Sequence, residues 1–431
     1  MTWLQRYRVW HYVTNSVCVL PSVSIVVALV AVRLFHRLDD ALGLESSFDP
    51  DGIRTLLGTL AGSMFTFVVF VCSALLIAVQ LASAQLTPRI IALVFRDTVT
   101  KYSLTLFVFI FTYSLAVLIR IDTTVPVIST RVATYGFIVS MITFLFLIDH
   151  VGKTLRPIGA LRRVAGIGRQ VIEDVYPRLL VNSPERLPES DGIPSGPSRT
   201  ILNPRDGAVL AFDIPGLRSL AERTDCIIEL VPQVGDHIAL GDPLFRVYGG
   251  TADLDERALC QFVAVGQERT PEQDSTFAFR IMVDIASKAL SPAINDPTTA
   301  VLAIDQIHHL LRNVGNRCLD DERLRDSAGR LRLLYRTPAW QDFVHLAVTE
   351  IRHFGGESIQ IARRLRAMLE NLIQSLPEER VPRLQQELNL LNRSAERFFV
   401  DPEDRALADV SDLQGVGGKR AVEPQAKAGL K

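Results

Sequence analysis

The stretch 56–80 reads LLGTLAGSMFTFVVFVCSALLIAVQ, about 25 residues without one acidic or basic side chain. About 20 apolar residues are enough for a helix to cross the hydrocarbon core of a bilayer. This run is longer than that, and longer than an ordinary buried helix requires. It therefore predicts a transmembrane helix over residues 55–81, and the organisation of the chain follows from it.

Three further apolar runs lie near this one, at about 17–35, 102–119 and 132–148. Arg6 and Arg8 precede the first run, as they would in a signal peptide. No A-x-A cleavage site ends that run, so we interpret it as a retained membrane anchor. The sequence therefore predicts a membrane α-helical bundle of four transmembrane helices, in a domain over residues 1–155.

Lys and Arg near the span ends predict the orientation of the helices, because cytoplasmic loops carry an excess of both. The side that would hold both termini carries Arg6, Arg8, Arg89, Arg96, Lys101, Lys153, Arg156, Arg162, Arg163 and Arg169. The other side carries Arg33, Arg37, Arg54, Arg120 and Arg131. This excess of about two to one predicts that both termini are cytoplasmic.

The composition excludes some classes of protein. The formal net charge of −1 argues against a nucleic-acid binder. Five scattered cysteines form no CxxC or other metal-ligand spacing, which predicts neither a metal site nor a disulfide framework and suits a reducing compartment. Charges are sparse in the first 150 residues and dense afterwards, so a region of soluble character follows the membrane domain.

A stripe of small and polar residues runs along the second predicted span. Its members recur in steps of three, four and seven, which places them on one helical face: Thr55, Thr59, Gly62, Thr66, Ser73 and Gln80. Gly58 and Gly62 also form a G-x-x-x-G motif. One interpretation is close helix–helix packing, because small residues let backbones approach each other in lipid. The other is a face that lines a water-filled pore, and an oligomer can accommodate both.

The sequence after residue 155 predicts a cytoplasmic α+β region in several parts. Residues 156–199 read as a juxtamembrane helix and linker, and 200–250 as a small β-rich domain. The text of the latter resembles the barrel-sandwich hairpins of biotinyl and lipoyl domains, but it contains no lysine to modify, so a carrier function is not supported. Residues 251–412 predict a mainly helical domain containing a helical bundle, and 413–431 a disordered tail.

Polar residues lie at and near two proline-containing breaks in the helical region. Ser291-Pro292 and Asp296-Pro297 each pair a capping residue with a proline at the first helical position. Capping does not explain Asn295, nor the polar groups just upstream. The ligand-binding candidates are therefore Glu268, Arg269, Asp274, Asn295 and Asp296. Such groups could bind an anion at a helix N-terminus or form an ordered internal network.

Three phrases, LASAQLTPR at 81–89, ERTPEQD at 268–274 and ALSPAINDPTTA at 289–300, occur in this order behind the four spans. Together they resemble the bacterial membrane-protein family called domain of unknown function 2254, over nearly the whole chain up to about Asp412. The resemblance implies a multipass protein of the bacterial inner (plasma) membrane. The resemblance implies no established activity and no catalytic residue.

The sequence lacks the motifs of common enzyme classes, among them G-x-x-x-x-G-K-[ST], G-x-S-x-G and H-E-x-x-H. We therefore expect no cofactor, and as partners a lipid bilayer, further copies of the chain and an unidentified small ligand or ion. The leading hypothesis is an oligomeric channel-like or transport-related protein regulated by its cytoplasmic domain. The alternative is a membrane-tethered ligand sensor or scaffold, and a weaker one is an enzyme at Arg269, Asn295 and Asp296.

Overall fold

The computed structural model describes residues 1–42, 49–90, 97–121, 125–154, 156–180, 198–250, 254–319 and 322–418. The chain forms two compact units. The membrane unit comprises Arg8–Ala160, and the α+β unit comprises Met1–Tyr7 together with Leu161–Lys431.

The membrane unit contains the end of a short helix, α1 (Trp3–Asn15), and four long apolar helices. These are α2 (Val19–Leu42), α3 (Pro50–Gln85), α4 (Thr98–Leu118) and α5 (Val127–Thr154). All four are long and apolar enough to cross a membrane, which confirms the predicted four-span block. In its most apolar stretch, 44% of α4 is buried, against 22% or less in each of the other three. Helix α4 is therefore the centre of this bundle.

Aromatic rings and a glycine fill the space between the spans. Phe67 of α3 stacks on Phe144 of α5, with ring centroids 4.5 Å apart, and Phe107 of α4 contacts both rings. Gly136 of α5 lies against the side chain of Ile110, where an added Cβ would come within 2.2 Å of its Cδ1 atom. Lipid gives no hydrophobic drive to helix association, so such close packing holds the spans together.

At one end of the bundle, charged side chains form hydrogen bonds with backbone groups at the helix termini. Asp39 of α2 is buried, and its carboxylate accepts the N–H groups of Ile128 and Ser129 at 2.7 and 3.2 Å. It also accepts the Ser129 hydroxyl at 2.9 Å. These are first-turn groups of α5, which have no partner within their own helix. Arg54 of α3 donates to the carbonyl of Ile121, just beyond α4, at 2.6 Å.

The opposite end of the bundle is connected in a similar way. Asp97 caps α4 by accepting the N–H of Thr100 at 2.9 Å and its hydroxyl at 2.8 Å. The Nε2 atom of His150, near the end of α5, lies 3.1 Å from the same carboxylate. The buried Lys101 donates through Nζ to the carbonyl of Thr14, near the end of α1. These contacts join the α1, α4 and α5 ends on this side.

The α+β unit contains two sheets and a set of helices. The strands are β1 (Ser198–Leu202), β2 (Gly207–Phe212), β3 (Ile227–Leu230), β4 (His237–Ile238), β5 (Pro243–Tyr248), β6 (Val263–Gly266), β7 (Glu322–Arg325) and β8 (Leu331–Tyr335). The helices are α6 (Pro157–Val175), α7 (Ile214–Arg223), α8 (Glu256–Cys260), α9 (Phe277–Ala289), α10 (Pro297–Gly315), α11 (Trp340–Phe354), α12 (Ile359–Ser375), α13 (Val381–Phe398) and α14 (Pro402–Ala408).

The sheets draw strands from far apart in the sequence. One has the order β1-β5-β3-β8-β7 and the other β4-β2-β6. All pairs are antiparallel except β3 with β8, which are parallel. Because β6 and β8 come from residues beyond 250, the structure does not show a β-domain confined to 200–250. A short strand with few alternating residues carries too little signal to predict so distant a partner.

The first residues of α1 complete the core of the three-stranded sheet. Leu4 is buried against Ala208, Leu210 and Ala264. Trp3 and Tyr7 pack against the same cluster. The start of the chain is therefore a structural part of the α+β unit, which the sequence did not predict.

Part of the tail predicted as disordered is fixed in place. Arg363 of α12 is fully buried and donates to the carbonyls of Val410, Gly417 and Gly418 at 3.0, 3.1 and 2.7 Å. The buried carboxylate of Asp412 accepts the Gly417 N–H at 2.7 Å. Residues 413–418 of the predicted tail are therefore bound to the α+β unit, and 419–431 lie outside the described residues.

Replacement of Asp39 by alanine tests the role of this carboxylate as a cap of α5. We expect Asp39→Ala to destabilise the membrane unit by about 1–3 kcal/mol, because it leaves buried donors without an acceptor. Asp40→Ala is the matched control, since the neighbouring Asp40 is exposed. Thermal unfolding in detergent measures both, and equal melting temperatures for the two variants would contradict this role.

Candidate functional site

The polar stripe of α3 faces away from the other spans of the membrane unit. All six predicted members are exposed: Thr55, Thr59, Gly62, Thr66, Ser73 and Gln80. Val69 and Leu76, which continue the same spacing, are exposed as well. The opposite face of the helix is buried and apolar: Leu57, Leu60, Ala61, Met64, Val71, Leu75 and Ala78. The stripe therefore lies on the outer surface of this bundle.

The three threonine hydroxyls of the stripe donate to backbone carbonyls of their own helix. Thr55 donates to the carbonyl of Asp51 at 2.9 Å, Thr59 to that of Thr55 at 2.8 Å, and Thr66 to that of Gly62 at 3.0 Å. Such bonds to the residue four positions earlier leave each oxygen free to accept a further hydrogen bond. The stripe can therefore offer acceptors to water or to another helix.

The space beside each glycine of the G-x-x-x-G motif is empty. An added Cβ at Gly58 or Gly62 would meet no atom within 4 Å. The small residues thus do not serve packing against the other spans of the same chain. For the same reason, a single membrane unit does not enclose a pore with this face. Both interpretations of the stripe require another molecule.

Two of the five ligand candidates in the α+β unit form an ion pair. Arg269 Nε lies 2.8 Å from Asp274 Oδ2, and its Nη2 lies 2.5 Å from the same atom. The Arg269 Nη2 also donates to the hydroxyl of Thr276 at 3.0 Å. The other oxygen of Asp274 accepts the N–H and the hydroxyl of Thr276, at 3.1 and 2.7 Å. Asp274 is buried, so its charge is neutralised inside the chain at the start of α9.

A glycine and a glutamine hold this ion pair between the sheets and the helices. Gly235 has a φ of +93°, and an added Cβ there would lie 2.4 Å from Arg269 Nη2 and 2.8 Å from Asp274 Oδ2. The side chain of Gln273 exchanges two hydrogen bonds with the backbone of Phe212 at the end of β2, at 3.0 and 3.2 Å. The phrase ERTPEQD is therefore a structural junction in this fold.

Asn295 and Asp296 lie at the other end of α9. The N–H of Asp296 donates to the carbonyl of Ala289, the last residue of that helix, at 2.7 Å. The Asp296 carboxylate caps α10 by accepting the N–H of Thr299 at 3.1 Å. Asn295 is exposed and has a φ of +49°, a left-handed conformation that asparagine adopts more readily than most residues. Local geometry thus explains both residues.

The predicted cluster is therefore not brought together. Helix α9 has 13 residues, which at 1.5 Å per residue separates its ends by about 20 Å. Arg269 and Asp274 are near the first end, and Asn295 and Asp296 near the second. Glu268 is exposed beside the ion pair. No single small ligand contacts both groups in this arrangement, and an enzyme site that combines Arg269, Asn295 and Asp296 lacks its geometry. A ligand role for any one of these residues stays a prediction.

The histidines of α10 add no ligand to the Arg269–Asp274 pair or to Asn295 and Asp296. Burial lowers the pKa of His308, whose ring nitrogen lies 2.9 Å from the side-chain oxygen of Asn371 in α12. The imidazole is therefore a neutral, hydrogen-bonded part of the helix packing. Within the described ranges, no three His, Cys, Asp or Glu side chains come together in a way that could hold a metal ion.

Sequence reasoning missed Gly235, Gln273 and Thr276, which position the ion pair. The signal for Gly235 was its place in the turn VPQVGDH, where a positive φ favours glycine. Nothing in the sequence connects that turn to a pair more than thirty residues later. Likewise, the exposure of the α3 stripe could not be predicted, because helical periodicity gives a face but not its neighbour.

Replacement of Gly235 by alanine tests the packing of the ion pair. We expect Gly235→Ala to cost about 1–3 kcal/mol more than Gly241→Ala, because overpacking displaces the guanidinium. Gly241 is the matched control: its φ of +89° imposes a similar backbone strain, and nothing lies within 4 Å of an added Cβ. Hydrogen exchange of residues 269–276 and thermal unfolding measure the difference. Equal losses in the two variants would show that the pair does not depend on this contact.

The comparisons with known proteins agree with a membrane protein of unassigned activity. Uncharacterized proteins of Mycobacterium bovis and Mycobacterium tuberculosis are each 26% identical to this chain over 423 residues. The similarity covers 94% of this chain and 80% of each relative. No solved structure matches the chain.

A family model described as "Predicted membrane protein (DUF2254)" matches residues 14–371. The matched region includes all four spans and the three sequence phrases. It ends before the limit near Asp412 that the sequence suggested, so α13, α14 and the residues bound by Arg363 lie beyond it. The match covers well over half of the 431 residues, and the chain therefore belongs to the DUF2254 family of membrane proteins.

Proposed function

We propose that this protein is a homo-oligomeric, channel-like or transport-related membrane protein whose subunits meet along the α3 stripe. The observation that carries the proposal is the outward direction of that stripe. Thr55, Thr59, Gly62, Thr66 and Ser73 are all exposed on the surface of a single membrane unit. A surface of this kind in a bilayer contacts lipid, another helix or water.

Comparison with the other spans argues against lipid as the neighbour. The exposed central positions of α5 are large and apolar: Ile138, Val139, Met141, Ile142, Leu145, Phe146 and Ile148. Those of α2 are similar: Val23, Ile25, Val26, Val27, Leu29 and Val30. Side chains of this type are what acyl chains favour. The α3 stripe has small and polar groups instead, which supports contact with protein or water.

The spacing of the stripe supports contact with a second helix. Its exposed positions, with Val69 and Leu76 included, alternate in steps of four and three from residue 55 to residue 80. This repeat of 3.5 residues keeps one helix face against a partner over the whole length of a pair. At 1.5 Å per residue, the stripe is about 38 Å long, enough to cross the hydrocarbon core. The open glycines Gly58 and Gly62 would let a partner backbone approach closely.

The chemistry of the stripe supports a polar pathway between several copies. Hydroxyl and amide groups offer dipoles without fixed charge, and such a lining can replace part of the hydration shell of a small ion or solute. Because Thr55, Thr66 and Gln80 carry no fixed charge, this lining would select only weakly by charge, and the free acceptors of its threonines would favour cations. Helices that pack at one edge of the stripe can leave the other edge facing water.

The proposed setting is the inner membrane, with the α+β unit in the cytoplasm as the regulatory part. The twofold excess of Lys and Arg on the side of both termini supports this orientation. An even number of spans returns the chain to its starting side, and Met1–Tyr7 packs in the same unit as residues from Leu161 onward. The α+β unit is therefore joined to the spans by two chain connections, through α1 and α6.

Cysteine crosslinking tests contact between copies of α3. In a Cys18→Ser, Cys72→Ser background, we expect Thr66→Cys to form disulfide-linked dimers in membranes treated with a permeant oxidant. Phe65→Cys is the matched control, since Phe65 is exposed at the same depth but lies about 100° around the helix. The yield of dimer on a non-reducing gel measures the difference. Equal yields for the two positions would contradict an interface along the stripe.

Conductance in planar bilayers tests the polar pathway separately. We expect the purified protein to give discrete currents, and Thr66→Leu to lower the unitary conductance several-fold because an apolar side chain replaces a hydroxyl in the lining. Phe65→Leu should leave it unchanged. If Thr66→Cys crosslinks but the native protein carries no current, the oligomer stands and the pore is refuted.

A further inference from the structure

The second half of α1 exposes a group of large apolar and aromatic side chains. Val9, Trp10, Tyr12 and Val13 are between 40% and 66% exposed. They share a broad face of the helix, whereas Leu4 is buried in the α+β unit. A contiguous face of this kind indicates a contact surface.

The end of α1 is fixed at the boundary of the membrane spans by two independent connections. Only three residues separate Asn15 from Val19, the first residue of span α2. In addition, Lys101 in the first turn of span α4 donates to the carbonyl of Thr14. Two spans thus begin beside the last turn of α1.

This anchoring limits the height of the exposed face above the hydrocarbon core. Residues 9–13 lie within six residues of Asn15, which is about 9 Å along a helix in whichever direction α1 points. The polar headgroup layer on each side of a bilayer is roughly 5–7 Å thick. Side chains as long as those of Trp10 and Tyr12 can therefore reach that layer.

The residue types agree with this position. Trp and Tyr are enriched at membrane–water boundaries, because one end of each ring system is apolar and the other donates a hydrogen bond. Arg6 and Arg8 are exposed on the same helix, where they can approach lipid phosphates. Thus we propose that the exposed face of α1, formed by Val9, Trp10, Tyr12 and Val13, contacts the headgroup and upper acyl region of the bilayer. This proposal does not depend on the oligomer or on the pore.

Tryptophan fluorescence of the full chain tests the lipid contact. The sequence contains three tryptophans, Trp3, Trp10 and Trp340, and the difference between the native protein and Trp10→Phe isolates the emission of Trp10. In vesicles of phosphatidylcholine brominated near the top of the acyl chains, we expect at least about twofold quenching of that difference relative to unbrominated vesicles. The emission left in Trp10→Phe should change far less, since Trp340 is buried.

A conservative replacement and a second quencher keep the result interpretable. Trp10→Phe retains an aromatic side chain, and its elution volume and circular dichroism should match those of the native protein. Acrylamide reports access from water. Quenching of the Trp10 emission by acrylamide without quenching by bromine would place the face in water and overturn the proposal. Protection from both quenchers would indicate cover by protein and would overturn it as well.

Discussion

The whole membrane unit depends on one constraint: backbone polar groups at the ends of a span must find partners, because hydrocarbon supplies none. The chain meets this constraint with charged side chains at the ends of the spans. Asp39 accepts the first N–H groups of α5, Asp97 those of α4, and Arg54 donates to a carbonyl beyond α4. Each contact closes a helix end and joins two segments at the same time. Buried ionisable residues near membrane boundaries are therefore structural in this protein.

The same principle changes the interpretation of the polar residues in the α+β unit. A buried carboxylate that lacks a partner is costly, whereas a paired and hydrogen-bonded one can connect elements. Asp274 has Arg269 on one oxygen and Thr276 on the other. Together with Gln273, this arrangement holds the start of α9 against β2 and the turn at Gly235. Arg269, Gln273 and Asp274 of this polar phrase thus form an internal network, and a ligand role for them stays a prediction.

The sequence predicted the class of the fold well, because long apolar runs have a single physical explanation. It also predicted the cap at Asp296, where the residue types before and after proline act locally. The same reasoning was wrong at Ser291, where the structure has a turn and no helix begins at Pro292. Sequence reasoning also failed where the outcome depends on contacts between distant segments. The parallel pairing of β3 with β8, the packing of Leu4 on the three-stranded sheet and the burial of Arg363 beneath the last described residues are of this kind. The separation of Arg269 from Asn295 is another, since a 13-residue helix between two motifs keeps them apart.

The hydrogen-bond partners of the polar groups support the proposal that this protein acts within the bilayer. In the α+β unit, Arg269 and Asp274 bind each other, and Asp296 binds the helix that it caps. In the membrane unit, the hydroxyls of Thr59 and Thr66 are satisfied as donors but keep acceptor capacity on an exposed face. A mere anchor would need only apolar side chains on that face, as α2 and α5 have. The exposed polar side chains of α3 are therefore directed outward from the membrane unit, and the proposed oligomer would use this face.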